Sequence, residues 1–222
     1  GSRSSALAAA LEALEESARY DAQRRAFNTN KNRSFNLDES DLVALSAVRR
    51  GKVPLVVQVD RAADIIKVVT AFGSYPALRL VLASATEAWK VAPLLNVENI
   101  PVLINVMENL PQNFDRLGAR LDQATLLAEA GVRFAFFSGS PYSETRSLSQ
   151  AAGIAVAQGL SWQQAITAIS AAPAEIWGLK GLGRIEVGAI ADLVIWNGDP
   201  LEVTSAPVAV LIDGVRVDLE TR

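Results

Sequence analysis

Four apolar segments of this chain each end in polar or charged residues that could act on a small molecule. Glu87 and Glu108 are the candidate catalytic groups, because a carboxyl group with a raised pKa can serve as a general acid or base. The candidate substrate-binding residues carry amide, hydroxyl or guanidinium groups; they are Gln58, Arg61, Asn105, Ser138, Ser140 and Tyr142. Further polar residues follow the same four segments, namely Asp60, Ser84, Thr86, Asn109, Glu144 and Arg146.

The chain contains neither histidine nor cysteine. Nucleophilic mechanisms that need a Ser-His-Asp or a Cys-His arrangement are therefore excluded. The strong metal ligands that remain are Asp and Glu, and a site built from carboxylates alone favours Mg, Ca or Mn over Zn. We accordingly predict no metal-binding residue, and expect no cofactor, for this chain by itself.

The amino-acid composition indicates which classes of binding partner this chain can be expected to have. The net charge is -3 and the sequence pI is about 5.1, without the basic excess of a nucleic-acid-binding protein. No apolar run reaches the roughly 18 residues that span a bilayer. We therefore expect neither nucleic acid nor membrane as a partner, and a small polar molecule stays possible. The absence of cysteine leaves both a cytoplasmic and a periplasmic location open.

The four apolar segments read as strands at residues 54–59, 78–83, 101–106 and 132–137, and they alternate with predicted helices. This pattern predicts an α/β fold with a parallel sheet whose strands are buried on both faces. In such sheets the active site lies at the carboxyl ends of the strands, so the candidate residues should share one pocket. The predicted domains are a helical segment at 1–50, the α/β part at 51–180 and a β-rich tail at 181–222.

Several of these residues also have a purely structural explanation. Asp60 and Ser84 precede helices and could be N-caps, and Glu87 falls in a first helical turn, where the helix dipole favours an acid. Asn36 and Glu39 have the spacing of a capping box, as do Ser161 and Gln164. The apolar faces around Trp162 and Trp177 predict that both indoles are core residues.

The tail at residues 182–202 combines spaced glycines, an Ala-Asp-Leu strand and a Gly-Asp-Pro turn. It resembles the C-terminal signature of the amidohydrolase superfamily, and its imidazolonepropionase-like branch in particular. Residues 159–179, 60–65 and 86–89 also match that family, so the resemblance covers about residues 50–222. It implies the later half of a (β/α)8 TIM-type barrel with part of a small β-sandwich. It also implies metal-dependent hydrolysis of non-peptide C–N bonds, commonly with Zn.

The sequence departs from the family where the family binds its metal. Gln58 lies near the place of a metal-binding histidine, and Gly139 lies where the family has a catalytic aspartate. These departures predict a protein that is incomplete or inactive as this chain alone; a non-catalytic binding or structural relative is the alternative. The partner expected on this interpretation is a homo-oligomer or a complementary N-terminal half that carries the His-x-His motif.

Overall fold

The structure is a computed structural model that describes residues 2–27, 35–108, 110–138 and 147–218. Clustering of contacts divides the chain into a first compact unit, residues 1–57 with 63–80, and a second, residues 58–62 with 81–222. Within the described residues, none of the helices is both long enough and apolar enough to cross a membrane. The helices are α1 Arg3–Phe27, α2 Glu39–Arg49, α3 Ala62–Phe72, α4 Ala92–Val97, α5 Gln123–Glu129, α6 Leu148–Ala157, α7 Trp162–Ile169 and α8 Ala171–Trp177.

Two sheets are described. The first has the strand order β1-β2-β3-β4, with β1 Leu55–Val59, β2 Leu80–Ser84, β3 Val102–Ile104 and β4 Phe134–Phe136. Strand β3 is parallel to both of its neighbours, with Leu103 opposite Ala83 on β2 and Ala135 on β4. The second sheet joins three antiparallel strands, β5 Leu193–Trp196, β6 Pro207–Ile212 and β7 Val215–Val217. The alternation of strands and helices thus predicted the parallel sheet correctly.

Strand β1 differs from the prediction that its apolar run is buried on both faces. Every residue of β2, β3 and β4 is buried, but in β1 the side chains of Val56 and Gln58 are exposed and their neighbours are half-buried. The reason is position, because β1 is an edge strand of the described sheet. An apolar run identifies a strand but does not say whether other elements cover both of its faces.

The first unit is organised around a hairpin of α1 and α2. Asp21 on α1 accepts hydrogen bonds from Ser46, at 2.7 Å, and from Arg49 on α2, and another from Arg50, which directly follows that helix. The predicted capping box of Asn36 and Glu39 is wrong. Helix α2 begins after Asp38, and the Asn36 N–H donates instead to Glu16 on α1. A capping signature is a local pattern, and here a long-range bond to a buried carboxylate prevails over it.

In the second unit, helices α6, α7 and α8 pack near β4. A cluster of small and branched residues fills the space between sheet and helices; its members are Val81, Ala83, Leu103, Ala135, Ala172 and Ile176. The predicted capping box at the start of α7 is confirmed. The Ser161 hydroxyl accepts the Gln164 N–H, and the Gln164 side chain accepts the Ser161 N–H.

The prediction that Trp162 and Trp177 are core residues is wrong. Their exposed fractions are 44% and 41%, because alanines such as Ala165 and Ala168 supply the buried face of the helices. Trp162 has a different structural role. Its Nε1 donates to both carboxylate oxygens of Asp199 at 3.0 Å, which ties α7 to the Gly-Asp-Pro turn of the tail.

A second contact between helix and tail lies at Gly153 in the middle of α6. A Cβ at this position would be 2.5 Å from the Leu201 carbonyl oxygen, which is backbone and cannot rotate away. We predict that Gly153→Ala destabilises the protein by about 1–3 kcal/mol in urea unfolding, because overpacking outweighs the gain in helix propensity. Ala157→Gly is the control. It lies at the exposed end of the same helix, so its change in unfolding free energy measures the difference in helix propensity between Ala and Gly without a packing effect. A Gly153→Ala variant as stable as the parent would show that the tail does not pack here.

Candidate functional site

The candidate site lies where β1, β2 and β3 end. We call its members the strand-end cluster; they are Asp60, Ser84, Thr86, Glu87, Glu108 and Arg116, all in the second unit. Asp60 directly follows β1, whereas Ser84, Thr86 and Glu87 lie at or just after the end of β2. Glu108 closes a short 3₁₀ helix, Val106–Glu108, after β3. Arg116 comes from the loop that follows, at the end of the 3₁₀ helix Phe114–Arg116.

Asp60 joins the ends of β1 and β2. Its carboxylate accepts the Thr86 hydroxyl at 2.6 Å, and its backbone carbonyl accepts the Glu87 N–H at 2.8 Å. The Asp60 carboxylate thus binds a residue that follows the neighbouring strand β2. An N-cap would instead accept an N–H of α3. The first N–H of that helix, at Ala62, donates instead to the Glu87 carboxylate at 2.9 Å. The prediction that Asp60 is the N-cap of α3 is therefore wrong, because Glu87 accepts that N–H instead.

Glu87 is held on several sides. One carboxylate oxygen accepts the Ala62 N–H, and the other forms an ion pair with Lys90 at 2.6 Å. Gly118 lies against the same side chain, so closely that a Cβ on this glycine would clash with it. Burial opposes ionisation of Glu87, but the hydrogen bonds from Lys90 and Ala62 prevail, and they lower the pKa of its carboxyl group. The acid-base role predicted for Glu87 needs a raised pKa, so this shift does not favour it.

Arg116 brings the cluster together. One terminal nitrogen donates to Glu108, the other lies 3.3 Å from the Ser84 hydroxyl oxygen, and Nε lies 3.7 Å from an Asp60 carboxylate oxygen. The side chains of Arg116 and Asp60 are only 15% and 16% exposed, so solvent screens their attraction weakly. Burial alone would lower the pKa of Arg116, but the hydrogen bond to Glu108 and the two nearby carboxylates raise it. The guanidinium is therefore a permanent positive charge.

The backbone at the end of β2 is strained. Ser84 and Ala85 have φ values of 67° and 46°, a region that residues with a Cβ seldom adopt. The buried Gln123 amide donates to the Ala85 carbonyl at 2.8 Å and helps to hold this turn. Such strain persists only where surrounding contacts enforce it, and it clusters at functional sites. Here it directs the Ser84 hydroxyl towards Arg116.

The other predicted site residues are less closely associated with the cluster. Gln58 and Arg61 are exposed, and Ser138 is half-buried. Asn105 is buried and accepts the Met107 N–H through Oδ1 at 3.1 Å, so this amide shapes its own loop. Ser140 and Tyr142 lie outside the described residues, as do Asn109, Gly139, Glu144 and Arg146. Sequence reasoning missed Arg116, since nothing in a loop's composition says which strand end it reaches.

The donor set does not fit the zinc site that the family resemblance implies. The chain has no histidine or cysteine, and the described residues contain no group of three or more carboxylates that could hold a metal. Asp60 and Glu108 are already bound to the Arg116 guanidinium, whose charge would repel a second cation. No metal-dependent step is therefore derived for these residues.

The contacts of Glu87 predict a pH-dependent contribution to stability. Its pKa is lowered from 4.5 in the folded chain, so the stabilisation is fully present above that value and is lost as the pH falls through the folded pKa. We expect Glu87→Gln to cost about 1 kcal/mol at pH 7, and less as the pH falls below about 4. Urea unfolding across this range measures both effects. Glu12→Gln, on the exposed side of α1, is the control, and an equal pH dependence in both variants would contradict the assignment.

Comparison with known proteins agrees with this fold. A model of the Amidohydrolase family matches residues 127–218. Amidohydrolase tasK of Hapsidospora irregularis is 27% identical over 182 residues, which cover 77% of this chain and 18% of that protein. The crystal structure of an amidohydrolase from Thermotoga maritima MSB8 superposes with a TM-score of 0.86 at 24% identity, covering 98% of this chain and 56% of that one. A prolidase in complex with N-methylphosphonate-L-proline gives 0.61 at 20% identity, covering 81% and 49%.

The structural matches show an α/β fold with a parallel sheet that is shared with amidohydrolases. The chain spans about a fifth of the curated relative and about half of each of the two solved structures. With the tail motif at residues 182–202, these matches confirm the resemblance found in the sequence: the chain is similar to part of an amidohydrolase.

Proposed function

We propose that this chain descends from a metal-dependent amidohydrolase acting on non-peptide C–N bonds, and that by itself it does not catalyse metal-dependent hydrolysis. On this proposal the parallel sheet is the later half of a (β/α)8 barrel, and the tail is part of a small β-sandwich. The observation that carries the proposal is the Arg116 guanidinium bound to both Asp60 and Glu108. It supplies the positive charge at the strand ends that a metal ion would otherwise supply.

A guanidinium cannot replace a metal ion in catalysis. It has no vacant coordination position, so it cannot bind a water molecule as a Lewis acid and lower the pKa of that water towards 7. It stays protonated at all physiological pH values, so it cannot accept a proton from water either. Glu108 is ion-paired with Arg116, and Glu87 with Lys90, so neither carboxylate is a free general base. The cluster is therefore suited to hold charged or hydrogen-bonding groups rather than to activate water.

A binding role is the second candidate, and the buried polar groups at the strand ends favour it. Asp60, Ser84 and Thr86 remain polar although little of each is exposed. Burying a polar group costs free energy unless a hydrogen-bond partner compensates it. If these strand ends had no function, we would therefore expect apolar residues in their place. A small polar molecule fits this chemistry. Gln58, Arg61, Asn105 and Ser138 stay candidate contacts on this proposal. The predicted catalytic residues Glu87 and Glu108 would be contacts as well.

We also propose that the chain assembles with a second polypeptide, either another copy of itself or a complementary half. The tail sheet supports this, because Val208 and Ile212 on β6 and Val215 on β7 are 51%, 58% and 70% exposed. Apolar side chains grouped on one sheet are typical of interfaces. Native mass spectrometry of the protein from its own source tests this; a strictly monomeric chain would contradict it.

The metal-free proposal is tested by incubating the purified chain with Zn²⁺, removing unbound metal, and measuring bound zinc and hydrolysis of a panel of N-acyl amino acids. We expect less than one zinc ion bound per chain. We also expect no zinc-dependent hydrolysis, so that adding a chelator changes nothing. Asp60→Asn should change neither result, and Asp115→Asn, in an exposed loop, is the matched control. Stoichiometric zinc that Asp60→Asn removes, together with turnover that a chelator stops, would overturn the proposal.

A further inference from the structure

Arg116 belongs to a loop that crosses the strand-end cluster. We call residues 110–122 the strap. It touches the cluster at two points: Arg116 reaches Asp60, Ser84 and Glu108, and Gly118 packs against Glu87. The Gly118 carbonyl also accepts the Trp89 indole N–H at 3.0 Å. The Arg120 guanidinium lies over the Trp89 ring, 5.0 Å from its centroid. The strap is therefore attached to the rest of the second unit at Arg116, Gly118 and Arg120.

The strap buries few large apolar side chains. Its large apolar side chains face solvent, with exposed fractions of 86% for Phe114, 65% for Leu117 and 44% for Leu121. Its backbone hydrogen bonds include short-range ones, such as Arg116 N–H to Asn113 carbonyl and Ala119 N–H to Arg116 carbonyl. A segment with few buried apolar contacts has a low free energy of local opening. The Arg116 contacts thus supply much of what keeps the strap closed.

The pocket around the Arg116 guanidinium is matched to that chemical group. Two carboxylates, Asp60 and Glu108, lie on different sides of it, and the Ser84 hydroxyl oxygen accepts from a third direction. A planar cation with divergent N–H donors can donate to Glu108 and Ser84 and still lie within ion-pair distance of Asp60, whereas an ammonium group offers a more compact charge. When Arg116 leaves, two carboxylates face each other without a counter-charge, which favours the entry of a similar cation.

We propose that the strand-end cluster is a binding site for small molecules that carry a guanidinium or amidinium group, and that Arg116 of the strap occupies it as a built-in pseudo-ligand. The contact is autoinhibitory. A ligand of this class competes with Arg116 for Asp60 and Glu108, and the strap opens when it binds. The proposal does not depend on whether the chain hydrolyses anything.

The test removes the built-in ligand and supplies a free one. In Arg116→Ala we expect amide hydrogen exchange of the strap to be at least about tenfold faster than in the parent, since a tenfold change corresponds to about 1.4 kcal/mol and the lost ion pairs are partly buried. Methylguanidinium should bind this variant more tightly than it binds the parent, in which Arg116 competes for Asp60 and Glu108. Ethylammonium, with the same charge but a different donor geometry, should bind the variant much more weakly. Exchange in α7 should be unchanged throughout, which verifies that the fold is intact.

Two further variants separate this proposal from a general loss of structure. Arg184→Ala breaks the exposed ion pair with Glu175 in the same unit. It should not loosen the strap, and it should bind methylguanidinium no more tightly than the parent does. Glu108→Gln keeps Arg116 but removes the negative charge of one of its two carboxylate partners, so it should loosen the strap even if Arg116→Ala does not fold. When combined with Arg116→Ala, it should weaken methylguanidinium binding. The proposal is overturned if strap exchange is unchanged in both single variants. Methylguanidinium binding no tighter than that of ethylammonium would equally overturn it.

Discussion

The constraint on which the site depends is the pairing of two carboxylates with one fixed cation. Asp60 and Glu108 come from segments that follow different strands, and they meet at the same guanidinium. Without it, two partly buried negative charges would repel each other where solvent screens them little. Because Arg116 cannot lose its proton, it reduces the repulsion between the two carboxylates at every physiological pH. The parallel sheet brings the strand ends, and with them the two carboxylates, close together. The loop after β3 supplies the Arg116 side chain that offsets their repulsion.

The neighbouring contacts form around that arrangement. Thr86 satisfies Asp60, Glu87 satisfies the first N–H of α3, and Gly118 leaves room for Glu87. The strained turn at Ser84 and Ala85 is held by Gln123 from α5. Each contact joins a residue at one strand end to a segment that is distant in sequence. The strand ends are thus joined by polar contacts, whereas the sheet beneath them is held by apolar packing.

Features that depend on local pattern could be predicted from the sequence. The buried apolar runs predicted β2, β3 and β4, the turn residues predicted the tail strands, and Ser161 with Gln164 predicted the start of α7. Features that depend on long-range partners could not. Asn36 bonds to Glu16 instead of forming the predicted cap, and Trp162 is exposed and bonded to Asp199. Glu87, and not Asp60, accepts the first N–H of α3. Arg116 is the clearest case, since its partners lie 8, 32 and 56 residues away.

The account's central claim is that Arg116 and Asp60 stabilise each other across the strand ends. A double-mutant cycle with Arg116→Gln and Asp60→Asn, measured by urea unfolding at pH 7, tests it directly. The account predicts that the two costs are not additive and that the coupling free energy is about 0.5–3 kcal/mol in favour of the intact pair. Additivity within about 0.3 kcal/mol would contradict it, because the guanidinium would then not be what holds the strand-end carboxylates in place.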